Sequence, residues 1–583
     1  MNEEKVKVKV KETPANVTCT NDMTLWKIIW SFISKNKVLF TIYLAFLFLI
    51  PVKAILLPRT IGKLHSYIHK GDFKDTRYFA FVLLTVVVVL VLLQVMYTLC
   101  DIVEVHTLPR MQMHVRNMMV QHQFDSNATN YSTVETGRFV ANGIKLPMVI
   151  SSFVQLAKNI YIPGFITLTV ALIYITIQDW WLGFVFFIVL CTCFGTLFFS
   201  FHNCQDIAIA RDHQNTEVMS RAEDILRNIM SVMSLGKEGD EMNGLSEMQT
   251  KFSEMCAKTV HCSVSAKYIV VPLGVIYMLY LCYHSWRKKY DGGKFVTLLI
   301  IMFIIITVLF DLTNKIVDLL YKYGVLRNGI SVFESCTRDV EPYGLPLRGT
   351  TDGITFQDVS YSYMDGRKVF ENLNMTIGFN ETTLIVGSIG SGKSTMLSLL
   401  LRYYVPQRGE IFYQGTPYTR MHHVDIRKRI MHVPQSPALL NRSIYENVIY
   451  GTERKGGKGD AVASKSEVTE LFISLGLASF LATLPNGLDT SVGVGGSSLS
   501  GGQRQIVWIV KLYLLDPEVV LLDEPTASID EETKALVVAL LERIVKDRNR
   551  TCILVTHDPY LLRLADVVIT LDKGSVASVK RSS

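Results

Sequence analysis

Gly387-Ser388-Ile389-Gly390-Ser391-Gly392-Lys393-Ser394-Thr395 follows directly on the short apolar stretch Thr383 to Val386. Its spacing is that of a phosphate loop, G-x-x-x-x-G-K-[ST], and a strand before it with a helix opening after it is the context such a loop requires. Glycines such as Gly387, Gly390 and Gly392 are needed because the backbone must wrap the phosphates closely and aim its N–H groups at them. A side chain there would hold the anion away. Ser388, Ser391 and Thr395 complete the cradle, Lys393 is placed to pair with the outer phosphates, and the Ser394 hydroxyl is placed to ligate Mg²⁺. The expected ligands are ATP and Mg²⁺.

Further along, Val519-Val520-Leu521-Leu522-Asp523-Glu524 reads as a buried strand ending in two carboxylates. A carboxylate at such a strand end reaches a metal beside the phosphate loop, which suits Asp523 to Mg²⁺ and Glu524 to polarising an attacking water. Thr383 to Val386, Val519 to Leu522 and Cys552 to Val555 alternate with helical patterns, the signature of an α/β domain with a largely parallel sheet.

Between these motifs lies Leu499-Ser500-Gly501-Gly502-Gln503-Arg504-Gln505. Here the chain resembles the ATP-binding cassette (ABC) family, for which LSGGQ between a phosphate loop and a VVLLDE strand is the signature. A helix N-terminus opened by a serine and two glycines suits contact with a γ-phosphate. The resemblance implies that Ser500, Gly501, Gly502 and Gln503 touch the nucleotide held by an opposite ATPase domain, so that two domains must dimerise. It also implies that Tyr363 stacks on adenine, that Gln435 approaches Mg²⁺ and links the site to the membrane domain, and that Asp530 signals across the dimer. His557, which ends the run TCILVTH, would hold the γ-phosphate and orient Glu524. Three features depart from the family pattern: Val494 and Gly495 lack its usual acidic and basic residues, and Ile506 replaces a common third basic residue. Glu453 to Asp460 reads as a flexible insertion. The departures leave ATP chemistry intact and bear on coupling between the domains.

The other half of the chain is of a different character. A bilayer core of about 30 Å needs roughly 20 mainly apolar residues per helix, and six stretches qualify: Val38 to Pro58, Phe79 to Leu99, Ile160 to Ile177, Trp181 to Phe201, Tyr268 to Trp286 and Phe295 to Phe310. Short connections alternate with long polar segments, 100–159 and 202–267, a rhythm that long helices projecting from one side of a membrane would give. Ahead of the first span, Trp26, Ile28, Ile29, Trp30, Phe32 and Ile33 share a helical face beside lysines, like a helix lying at the interface. Basic residues are nearly balanced between the two sides, so orientation is taken from the ATPase domain, which must meet cytosolic ATP.

Composition agrees. Hydrophobic residues make up 49% of the 583 and charged ones 19%, too apolar for a wholly soluble protein. The net charge of +7 comes from scattered Lys and Arg rather than a stripe, which argues against a nucleic-acid partner. The ten cysteines show no C-x-x-C spacing and read as small buried hydrophobes rather than a disulfide framework or metal site.

The expected fold is a multidomain membrane protein, an all-α six-helix transmembrane domain followed by an α/β P-loop NTPase domain of ABC type. The divisions are a polar tail at 1–22, a transmembrane domain at 23–330, a linker at 331–350 and the ATPase domain at 351–583. Resemblance to exporter-type half-transporters implies an ATP-hydrolysing exporter working by alternating access. A nucleotide-gated channel on the same scaffold is the alternative, opposed by the intact Glu524 and His557. The partners expected are a second half-transporter, a homodimer in preference to a heterodimer, and membrane lipid. The cargo is unassigned, with a lipid or amphipathic compound favoured over a strongly ionic one. An integral, multi-pass membrane protein with a cytosolic ATPase domain follows.

Overall fold

Three helices of about 50 residues, more than twice what a bilayer core demands, dominate the first half of the chain. The computed structural model describes residues 25–37, 41, 50–69, 76–126, 136–334, 353–363, 365–452, 462–527, 529–547 and 550–581. The chain divides into two compact units, with the boundary after residue 337.

The first unit is helical. Its elements are α1 (Leu25–Lys35), α2 (Ile50–His69), α3 (Thr76–Ser126), α4 (Thr136–Leu156), α5 (Ile162–Gln178), α6 (Trp180–Arg227), α7 (Glu238–Arg287), α8 (Gly292–Asn314) and α9 (Ile316–Glu334). Among the described residues, five stretches are long and apolar enough to cross a membrane: Ala80–Asp125, Gly143–Gln178, Trp180–Arg227, Glu238–Arg287 and Gly292–Ile330. The expected first span lies mostly outside the described residues, and its last part opens α2. At 51, 48 and 50 residues, α3, α6 and α7 run far past their apolar stretches, as the long polar segments suggest. Phe81, Leu84, Val91 and Leu92 of α3 are more than half exposed, the arrangement of a helix whose outer surface meets lipid.

Inside the unit, apolar packing is supplemented by small residues and polar ties. Leu168 and Ile175 of α5, Leu182 and Phe186 of α6, Val270 and Leu281 of α7, and Ile301 and Ile305 of α8 share one core. At one end of these helices Asp179, between α5 and α6, accepts from the Trp181 and Leu182 N–H groups and the Tyr290 hydroxyl, and lies 3.1 Å from His284 Nε2. Where α2 crosses α8, a Cβ on Gly62 would run into Thr297 Oγ1, and one on Gly293 would lie 2.5 Å from the Gly62 carbonyl. Close approach of backbones through small residues is how helices associate in lipid, where burial of apolar surface gives no drive.

Between α4 and α5 the helix continues through one π-turn, Ala157–Tyr161. Lys158 in this turn is buried and pairs with Glu104 of α3, which also accepts from Gln155 at 2.6 Å. Removing one partner of such a pair costs about 3–5 kcal/mol, because the other charge is left buried alone.

The structure adds the packing of α1 and corrects the expectation for the cysteines. The apolar face of α1 is covered by protein: Ile28, Ile29 and Phe32 pack against Met111 and Val115 of α3, Ile150 of α4 and Leu326 of α9, leaving Trp26 and Trp30 outward. The cysteines are not all free, since Cys204 of α6 and Cys262 of α7 form a disulfide with their Cα atoms 5.9 Å apart. They are 58 residues apart in sequence, and only the side-by-side run of α6 and α7 brings them together.

The second unit carries two sheets. A four-stranded antiparallel sheet has the order β2 (Lys368–Ile377), β1 (Ile354–Ser362), β4 (Arg408–Tyr413), β5 (Thr416–Pro417). The six-stranded sheet has the order β10 (Ser575–Arg581), β9 (Val567–Asp572), β3 (Thr382–Gly387), β8 (Thr551–Val555), β7 (Val519–Asp523), β6 (Ile430–Val433), and all its pairs are parallel except β9 with β10. Both faces of the parallel part are covered: Val519 and Leu521 enter one core, Val520 and Leu522 the other. That double burial is why these strands read as unbroken apolar runs.

Gly293→Leu is expected to destabilise the membrane unit by about 2 kcal/mol through overpacking, while Gly195→Ala, whose Cβ would meet nothing within 4 Å, is expected to be neutral. Thermal unfolding of both variants in detergent checks this.

Candidate nucleotide site

The register of the parallel strands puts their carboxyl ends along one edge. Ile385 pairs with Val555, Val555 with Asp523, and Leu522 with Val433. The phosphate loop leaves β3, Gln435 follows β6, Asp523 and Glu524 end β7, and His557 follows β8. Four chain segments distant in sequence therefore meet where an open α/β sheet holds its ligands.

After β3 the loop turns on itself, with Ser391 N–H donating to Ser388 O at 3.1 Å. Gly390 and Gly392 have φ of +84° and +103°, conformations that favour glycine. A Cβ on Gly392 would also lie 2.7 Å from the Phe370 ring. Lys393, at the start of α10 (Lys393–Leu400), folds back and donates to the Gly387 and Ser388 carbonyls at 2.7 and 3.0 Å. Its ammonium thus stands over the cradle a phosphate would fill. Ser394 is exposed beside it, and Thr395 is buried.

Glu524 has φ of +45°, rare for a non-glycine residue. Its N–H donates to Val555 O at 2.7 Å, which ties the end of β7 to that of β8. Gln435 Nε2 donates to Glu524 Oε2 at 3.1 Å. Burial, and then the neighbouring Glu524 carboxylate, push the Asp523 carboxyl above the usual range, while Lys393 pulls it back. Two adjacent carboxylates with one partly desolvated form a place where a divalent cation relieves repulsion, so the residues fit Mg²⁺. His557 is exposed two residues beyond the end of β8.

Tyr363 donates or accepts through its hydroxyl with Thr395 Oγ1 at 2.8 Å, and the Arg367 guanidinium lies over its ring at 4.8 Å. The ring is held against the first turn of α10, next to Tyr361 and Tyr404.

The signature opens α11 (Gly501–Leu515). Ser500 caps it reciprocally with Gln503: the Ser500 hydroxyl accepts from Gln503 N–H, and the Gln503 amide oxygen accepts from Ser500 N–H at 2.9 Å. Gly502 is required for packing too, since a Cβ there would collide with Thr533 of α12 (Glu531–Asp547). Asp530 caps α12, accepting from Thr533 N–H at 2.9 Å, and these bonds hold its carboxyl below the usual range. Among the described residues no hydrogen bond or ion pair joins Ser500, Gly501, Gly502 or Gln503 to the phosphate loop.

Ile506 is buried in the core, Val494 is largely exposed, and Gly495 has φ of +66°. An apolar residue at 506 is therefore built into the interior. Glu453 to Asp460 lies outside the described residues. Gln505 and Trp508 were not singled out from sequence, yet both bond the segment that carries Gln435. An amide directly ahead of the apolar stretch from Ile506 to Val510 was the available signal, because a buried amide needs partners.

Two family models match, ABC transporter over residues 370–527 and ABC transporter transmembrane region over residues 40–309. The chain belongs to the ABC transporter family. Among curated relatives, ABC transporter B family member 13 of Arabidopsis thaliana is 32% identical over 52% of this chain and 24% of its own length. The human mitochondrial iron-sulfur clusters transporter ABCB7 is 35% identical over 40% of this chain and 30% of its own length. The chain thus spans less than a third of each. A solved bacterial Atm1-family ABC exporter with ATP bound superposes with a TM-score of 0.78 at 21% identity, covering 91% of this chain and 94% of that one. The ABC fold is common to both.

A raised carboxyl pKa means that folding stability is fully present below the ordinary Asp value and is lost as pH rises through the folded one. Asp523→Asn removes that loss. At neutral pH the ligand-free variant is expected to melt higher than the parent protein, while Mg²⁺-dependent ATP hydrolysis falls by more than the roughly hundredfold that an outer-shell metal partner can be worth. Calorimetry and a phosphate-release assay check the two halves separately.

Proposed function

We propose that the chain is a half-transporter that hydrolyses ATP and exports a substrate as a dimer. One observation carries this reading: the phosphate loop, Gln435, Asp523, Glu524 and His557 share the carboxyl edge of one sheet, while the signature stands apart at the start of α11. Each nucleotide then needs the loop of one ATPase unit and the signature of another.

In this reading the backbone N–H groups of the loop and Lys393 bind the phosphates, and Tyr363 stacks on the adenine. Ser394, Gln435 and Asp523 hold Mg²⁺, which neutralises charge building up on the transferred phosphoryl group. Glu524, oriented by Gln435 and His557, polarises the attacking water. The capped helix N-terminus at Ser500, Gly501, Gly502 and Gln503 closes on the partner's γ-phosphate, and Asp530 faces the seam. Closure of the pair pulls on the cytosolic ends of the spans and turns the central cavity outward, and hydrolysis resets it. Two complete half-sites on one chain favour a homodimer. A multi-pass membrane protein with cytosolic ATPase units follows from the need for cytosolic ATP.

Two ion pairs neutralise charge within the helical unit, Lys158 with Glu104 and Lys145 with Asp212. That supports a lipid or amphipathic cargo over a strongly ionic one.

The protein reconstituted in inverted lipid vesicles is expected to concentrate amphipathic tracer inside only with hydrolysable ATP, and Glu524→Gln is expected to bind ATP without turnover. Passive current gated by ATP binding would select the channel reading instead. Hydrolysis by Glu524→Gln at the parent rate would remove the catalytic assignment.

A further inference from the structure

Gln505 is almost wholly buried, and it directly precedes Ile506, Val507, Ile509 and Val510, which are buried on the same helix. Its side-chain nitrogen donates to the carbonyl oxygens of Pro434 and Gln435, at 3.2 Å each. Both partners are acceptors, so the amide must present its two hydrogens to them. Its own oxygen has no donor among the described residues. One turn along α11, Trp508 Nε1 donates to Ala438 O at 3.2 Å. Three donors on one helix therefore grip three carbonyls of the segment 434–438. From that segment the exposed Gln435 side chain reaches Glu524.

We propose that Gln505, aided by Trp508, is a positioning residue for ATP hydrolysis: it fixes the Gln435 backbone to the signature helix and so sets how Gln435 holds Glu524. The inference rests on Glu524 being the catalytic carboxylate. Gln435 has little packing of its own, so its aim depends on its backbone, and a misplacement of about 1 Å in a reacting group can cost a hundredfold in rate. Because α11 opens at Ser500, a single rigid helix also joins the half-site offered to a partner's nucleotide to the carboxylate that acts on this chain's own. An anchor of this kind makes hydrolysis at one seam responsive to occupancy of the other.

The test uses the full-length protein in lipid. Gln505→Leu keeps size and helix preference while removing both donors. The expected result is a fall in kcat for ATP of about tenfold, with KM within about twofold, as for an interaction realised only in the transition state. In a Gln435→Ala background the same change is expected to cost nothing further, because the two residues act as a unit. An unaltered kcat, or an equal fractional loss with and without Gln435, would overturn the proposal, since a purely structural role adds independently. Should Gln505→Leu fail to fold, Trp508→Phe decides: it keeps the ring and loses one donor, and a kcat several-fold lower at unchanged KM supports the anchor, whereas the parent kcat overturns it. Full turnover in Glu524→Gln would be a separate failure, that of the catalytic assignment itself.

Discussion

A triphosphate carries so dense a charge that it must be met by many donors at once, and the backbone supplies them only where no side chain stands in the way. The loop after β3 meets that demand with glycines in left-handed conformations and with Lys393 folded across them. Every other group that must reach the phosphates is obliged to leave from the same edge. Parallel pairing in register makes this possible, because β3, β8, β7 and β6 all end there. Burial of both faces of these strands keeps the edge rigid, and the bond from Glu524 N–H to Val555 O locks two of the exits together.

In the helical unit the demands are reversed. Apolar surface gains nothing by leaving lipid for another helix, so contact and polar satisfaction decide the packing. The α2–α8 crossing uses Gly62 and Gly293 to bring backbones close, and Asp179 gathers donors from α6, α7 and the turn before α8. Lys158 is paired with Glu104 and Lys145 with Asp212, and the disulfide between Cys204 and Cys262 ties α6 to α7.

The ATPase motifs were legible in the sequence because phosphate chemistry dictates both residue type and spacing. The loop, the VVLLDE strand and the strand before His557 each announced an element, and the structure has all three. Other features were hidden because they depend on neighbours distant in sequence. No spacing rule links Cys204 to Cys262, and the covering of α1 depends on residues of α3, α4 and α9. Gly502 was read for the nucleotide alone, whereas Thr533 on α12 also forbids a side chain there. Gln505 stood within the quoted signature and was passed over, since an anchor for another loop leaves no motif.

The π-turn at Ala157–Tyr161 inserts one extra residue into a continuous rod, and an α-helix advances about 100° per residue. The stripe that packs beside α1 upstream of it, with Leu146 and Ile150, and the stripe facing α6 and α8 downstream, with Leu168 and Ile175, are therefore out of angular phase with an uninterrupted helix. One rod serves two cores by this slip. Evolution could not trim that surplus residue without turning one of the two stripes away from its partners, so chain length in this segment is as constrained as any side chain.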